Sequence, residues 1–275
     1  MMIGSQTMCI PSHHKQEGPM ETAKSENVRI VSLAPSHSEW IFELNAQEYL
    51  VARTDLCDQP KSVKLLPSIG GLFPYQLERI LAYTPTDALM ISGHTELKSQ
   101  LERFGINVHQ LQPKSLEDIY AQTIRLGSIL HRDEQANAWV QKAKSALSTL
   151  EVIPNKPRTL VEVWFSPLTI AGHNSYIGNL VKVAGGELLL GEGAEWPVVP
   201  METVIKFDPE VLFISTVGLY KQLISDTPPA IWGGISAVKT KNIHLLKGRL
   251  TRPSPRVMSE LLWLNQRLKA VYSAP

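Results

Sequence analysis

Short apolar runs and amphipathic stretches take turns along this chain. "RIVSLAP", beginning at Arg29, is apolar and ends in turn residues, which predicts a buried strand. "SHSEWIFEL" follows at helical spacing, and Ser36-x-x-Glu39 matches a capping box with Ser36 as N-cap. "YLVAR" predicts a second strand and "TDLCDQP" a loop. A helix containing Glu78, the strand "DALMIS", the helix "TELKSQLERFG" closed by Gly105, and the strand "INVHQL" complete the first half. Strand and helix in alternation predict an α/β fold with parallel sheets covered on both faces.

The second half repeats the order. "RTLVEVWF" predicts a strand, "NSYIGNLVKVAGG" a helix ending in glycines, and "METVIKFDPEVLFIS" a helix, a Pro turn and a buried strand. "NIHLL" then echoes "NVHQL". The stretch "LERILAYTPTDALMIS" parallels "METVIKFDPEVLFIS" if the earlier copy carries one extra residue. Glu78 then falls on Glu202, Tyr83 on Phe207, Pro85 on Pro209, Asp87 on Glu210 and Ser92 on Ser215. Matches in one order at nearly one spacing point to two related Rossmann-like lobes.

Between the halves, Asp133 to Val152 contains no Gly or Pro. Ala136, Trp139, Val140, Ala143, Leu147 and Leu150 sit at helical spacing, and Pro154 ends the run. This predicts one long rigid helix of about 30 Å joining the lobes, and so a small change between open and closed states. The expected organisation is a disordered leader over 1–28, an N-terminal lobe over 29–132, the linking helix over 133–153 and a C-terminal lobe over 154–275, with the ligand cleft between the lobes.

Composition narrows the function. The 275 residues carry a formal net charge of +1 without a basic block, which argues against nucleic acid or an anionic membrane as partner. Two cysteines, Cys9 and Cys57, make neither a disulfide framework nor a zinc motif. The leader lacks the apolar core of a secretory signal, and QTMC at Cys9 has no apolar stretch before it. GxGxxG, GxxxxGK[ST], GxSxG and HExxH are missing, which lowers an enzymatic reading.

Open parallel sheets place ligands beyond the carboxyl ends of their strands, and two facing lobes make a cleft there. The candidate contacts come from those loops. They are Asp55 in "TDLCDQ", His94 in "SGHT", His173 in "AGHNS", Trp196 in "GAEWPVV", and Arg249 and Arg252 in "KGRLTRPSPR". Trp196 offers a flat wall or a lid over an inter-lobe core. The arginines, Arg256 included, suit bidentate bonds to amides or carboxylates, or serve as structural residues. His37, His94 and His173 lie on three such loops and could hold a transition metal, although no motif fixes their geometry.

The order of "RIVSLAPSHSEWIFELN", "TDLCDQP", the Glu78 helix, the linking helix, "AGHNSYIGNLVKVAGGE", "EWPVVPMETVIKFDPEVLFIS" and "RPSPRVMSELLWLNQRL" resembles the cobalamin-binding, BtuF-like periplasmic receptors. These are substrate-binding proteins of ABC importers for iron–siderophores, haem and vitamin B12. The resemblance covers about 29–272. It implies a non-enzymatic, monomeric receptor without a resident cofactor or metal, and a corrinoid as transported ligand. It further implies that Glu78 and Glu202 dock onto the two permease subunits. Where aromatic walls are expected, this chain carries Leu56, Leu72 and Ser92, which keeps haem, a siderophore or another corrinoid open as ligand. The resemblance implies a periplasmic location. The missing export signal leaves a cytoplasmic corrinoid-binding or chelatase-like protein as the alternative.

Overall fold

A computed structural model describes residues 28–71, 73–189, 193–246, 248 and 250–272. The N-terminal lobe runs β1 (Ile30–Ser32), α1 (Pro35–Glu43), β2 (Leu50–Arg53), α2 (Leu77–Leu81), β3 (Asp87–Met90), α3 (Thr95–Arg103), β4 (Asn107–Gln110) and α4 (Leu116–Ile129). Helix α5 (Asp133–Leu147) follows. The C-terminal lobe runs β5 (Arg158–Trp164), β6 (Thr169–Ile170), α6 (Tyr176–Val183), β7 (Glu187–Leu188), α7 (Met201–Phe207), β8 (Val211–Ile214), α8 (Val217–Leu223), α9 (Ala230–Gly233), α10 (Ser236–Lys239), β9 (Ile243–Leu245) and α11 (Val257–Ala270).

The first sheet has order β2-β1-β3-β4 and is parallel throughout. In the second, β5 pairs with β8 and β8 with β9, all parallel, and β7 lies parallel on the other side of β5. The two sheets therefore share one strand order, as duplication requires. The short β6 runs antiparallel to β5 and is particular to the second lobe.

Hydrogen bonds fix the register of the repeat. The Arg29 guanidinium donates to the carbonyls of Tyr83 and Thr84, and that of Arg158 to those of Phe207 and Asp208. Thr84 and Asp208 both adopt left-handed backbone, with φ of 43° and 48°. The N–H of Arg29 donates to the Thr86 side chain, and that of Arg158 to the Glu210 side chain. Thr86, not Asp87, is thus the partner of Glu210. The extra residue expected in the earlier copy is absent from this stretch, because the turn after each helix has the same length.

Two local expectations fail. Helix α1 starts at Pro35 with Ala34 as N-cap, and no side chain caps it. Proline's fixed φ suits the first helical position, so Ser36 lies inside the helix and is buried. Glu39 is released to pair with Arg256. The capping box instead opens α4, where Ser115 and Asp118 exchange bonds. The linking helix ends at Leu147, not at Ile153. The Ser148 and Thr149 hydroxyls bond back to the carbonyls of Ser145 and Ala146 and turn the chain out of the helix. At 1.5 Å per residue α5 is about 22 Å long.

Period-two alternation sorts each strand between two cores. Ile30 and Leu89 join a large cluster that also contains Leu116, Val161, Phe213, Leu261 and Leu268. Val31, Ala88 and Met90 face a separate cluster of the first lobe, and Leu160, Leu212 and Ile214 one of the second. The lobes are joined by this common core as well as by α5. Among the described residues no helix is long and apolar enough to cross a membrane.

Candidate functional site

The carboxyl ends of β3 and β4 meet loops of the second lobe around a cavity of about 170 Å³. Ile91, Leu111, Pro113 and Lys114 line it from the first lobe, and Tyr176, Ile177, Glu195 and Trp196 from the second. Leu250, Thr251 and Pro253 complete the lining.

Backbone packing sets the Trp196 loop. The N–H of Gly172 donates to the Glu195 carbonyl at 2.9 Å, and a Cβ on Gly172 would lie 2.2 Å from the Ala194 carbonyl oxygen. Only glycine allows that approach. The loop is held further by Asn174, whose amide donates to the Gly193 carbonyl at 2.6 Å. Trp196 is left 45% exposed, so its ring is available to a ligand. Beside it Glu195 pairs with Lys114 across the cleft, and Glu195 raises the lysine pKa by hydrogen bond and charge. The lobes also meet where the Asn179 side chain accepts from the Leu116 N–H at 3.0 Å. Tyr176 lines the cavity with a buried hydroxyl, and burial pushes its pKa well above the usual tyrosine range. It therefore stays a neutral phenol.

Arg252 is already engaged. It donates to Asp58 at 2.6 Å and lies 3.6 Å from Glu39, which Arg256 also holds. Asp55 accepts from the Ser68 hydroxyl and binds Gly70 through its own N–H, so it stitches two rim loops together. Arg249 and Leu72 lie outside the described residues.

The histidines do not converge. His37 is buried and donates from Nε2 to the Leu111 carbonyl at 3.0 Å. Burial lowers its pKa. His173 is half-buried in the loop that supports Trp196. His94 packs against Phe73, at 4.6 Å between centroids, and edge-on to Tyr75 at 5.2 Å. Among the described residues no three His, Cys, Asp or Glu side chains form a metal cluster.

Residues 30–250 match the model of the periplasmic binding protein family. The chain belongs to that family. It is a family of solute-binding proteins, not enzymes. A vitamin B12-binding protein of Yersinia pestis is 26% identical over 249 residues, covering 88% of this chain and 87% of its own. Among solved structures, the periplasmic vitamin B12 binding protein of Vibrio cholerae aligns with TM-score 0.74 at 19% identity, over 90% of this chain and 98% of its own. The periplasmic haem binding protein of the same organism aligns with TM-score 0.76 at 19% identity, over 90% and 99%. A periplasmic haem-binding protein of Roseiflexus gives 0.77 at 22%, over 89% and 98%.

Against this periplasmic binding protein fold, Leu56 and Ser92 are both exposed and small or aliphatic. Sequence reasoning missed two aromatic groups. Phe73 and Tyr75 sit with His94 at the carboxyl edge of the first sheet, where the Tyr75 hydroxyl lies 3.5 Å from the Leu33 carbonyl. Both lie in the segment "SIGGLFPY" between β2 and α2. Trp164, read as part of a strand, ends β5 and is 63% exposed. It pairs with Thr169, which bridges to Val198 two residues beyond Trp196. Glu78 and Glu202 each lie in the first turn of a helix, α2 and α7, and both are exposed.

Proposed function

We propose that this protein is the receptor of an ABC importer and that it holds a corrinoid, cobalamin first, between its lobes. The observation that carries this reading is the nearly full-length match to vitamin B12-binding proteins, together with an inter-lobe cavity walled by Trp196. It acts as a monomer on the outer side of the cytoplasmic membrane. Glu78 and Glu202 dock onto the two permease subunits, one from each lobe. Their equivalent places in a repeated helix support this role, and their exposure leaves them free to pair with cations.

Calorimetric titration with cyanocobalamin, haemin and a ferric siderophore tests the ligand. Heat with cyanocobalamin at one site per chain is expected, and no heat with any of the three ends the receptor reading. Fractionation of cells carrying the native gene tests the location. A haem-type ligand is the second reading, favoured by the Phe73, Tyr75 and His94 cluster, because imidazole and phenolate both ligate haem iron.

A further inference from the structure

Lys114 and Glu195 are the charged groups among the described residues that line the inter-lobe cavity. They come from opposite lobes and touch each other beside Trp196. The remaining described lining is mostly apolar, and the nearby Arg252 is held by Asp58 and Glu39. Because the pair spans the cleft beside Trp196, a ligand seated there comes between Lys114 and Glu195 and separates them.

We propose that Lys114 and Glu195 select the ligand by the chemistry of its edge, favouring a ring fringed by carboxamides over one fringed by carboxylates. The proposal rests on the corrinoid reading. Once separated, the pair presents an ammonium from one side of the cleft and a carboxylate from the other. A carboxamide serves both, because its carbonyl accepts from Lys114 and its NH₂ donates to Glu195. An ionised carboxylate only accepts, so it satisfies Lys114 and is repelled by Glu195. The pair is half in solvent, with side-chain exposures of 60% and 30%, so the discrimination is modest.

The test is calorimetric titration of wild type, Glu195→Gln and Lys114→Gln with two probes. One is cyanocobalamin. The other is the set of its mono-acids, each with one peripheral carboxamide hydrolysed to a carboxylate. Wild type is expected to bind cyanocobalamin about fivefold tighter than at least one mono-acid, the scale of a partly exposed charge interaction. Glu195→Gln should erase that preference by tightening the mono-acid, and Lys114→Gln should widen it. Cyanocobalamin binding with the same ratio in wild type and Glu195→Gln overturns this proposal alone. So does equal binding of every mono-acid by wild type. A wild-type protein that binds no cyanocobalamin overturns the corrinoid reading and this proposal with it. Melting temperatures of the variants, expected to match wild type, separate these outcomes from misfolding.

Discussion

Arg252 meets Asp58 at 2.6 Å, although 194 positions of chain separate them. The same arginine nitrogen lies 3.6 Å from Glu39, which is nearly buried and also accepts from Arg256 at 3.1 Å. The segment before α11 is thus clamped to α1 and to the loop after β2. Removing the central acid leaves two cations facing each other, whereas removing the peripheral one leaves Arg252 with a partner. Glu39→Ala is expected to cost about 2–3 kcal/mol and Asp58→Ala under about 1 kcal/mol, read from urea denaturation. Equal costs would mean that the arginines do not depend on Glu39.

Trp196→Ala should weaken ligand binding by about 1–3 kcal/mol, as expected for a stacked aromatic in a binding site, with little change in melting temperature. Gly172→Ala should do both. Its methyl would press into the Ala194 carbonyl, displace the Trp196 loop and lower stability by about 1–3 kcal/mol. Calorimetry beside thermal melts checks the contrast. A large drop in melting temperature for Trp196→Ala would assign that ring to the core.

Glu78→Ala and Glu202→Ala should each leave ligand affinity unchanged and weaken association with a permease. Exposed charge pairs are screened, so the wild-type association should fall as salt is raised. The double variant should lose at least as much as either single one. Pull-down and surface-binding assays with reconstituted permease report this directly. Unchanged association in the double variant would remove the docking role.

Stability should fall as the solution is acidified from neutrality. Burial, aided by the charge of Arg267, lowers the His244 pKa to about 4, and burial lowers that of His37 as well. Unfolded histidines titrate near about 6.5. Between those values the unfolded chain takes up protons that the fold refuses, so stability is full above about pH 6.5 and declines below it. Asp58 adds a loss at lower pH, because its bond to Arg252 holds its carboxyl below the usual carboxylate range. Urea midpoints from pH 7 to 4.5 should show the decline, and His244→Gln should flatten part of it. A slope of opposite sign would mean that the histidines gain partners on protonation.

Strands β1, β3 and β8 were legible because buried parallel strands read as short, mainly apolar runs, and Ile30–Ser32, Asp87–Met90 and Val211–Ile214 are of that kind. The repeat was legible from Glu78 and Glu202, but its register was not. Arg29 and Arg158 fix it through bonds to chain far away in sequence. Strands β6 and β7 have two residues each, too few for a period. The capping signal was placed on Ser36 because Glu stands three residues on, while the working box at Ser115 uses Asp118. At the site, Trp196 and its loop could be read from composition and position. The partners of Arg252, Asp55 and Lys114 could not, because each pairing arises only when separate loops are brought together by the fold.

The apolar cluster shared by both sheets has a consequence for how the chain folds. Leu116 of the first lobe and Val161, Phe213 and Leu268 of the second belong to one buried cluster, so a lobe expressed alone would expose apolar surface that the other lobe covers. Neither half is then expected to fold by itself as two domains on a flexible tether would. Heating or urea should melt the whole molecule in one cooperative step, with calorimetric and van't Hoff enthalpies in agreement. An ancestor made of a single copy could then have been stable only as a pair, and fusion of two copies would have turned a subunit interface into the interior of one chain.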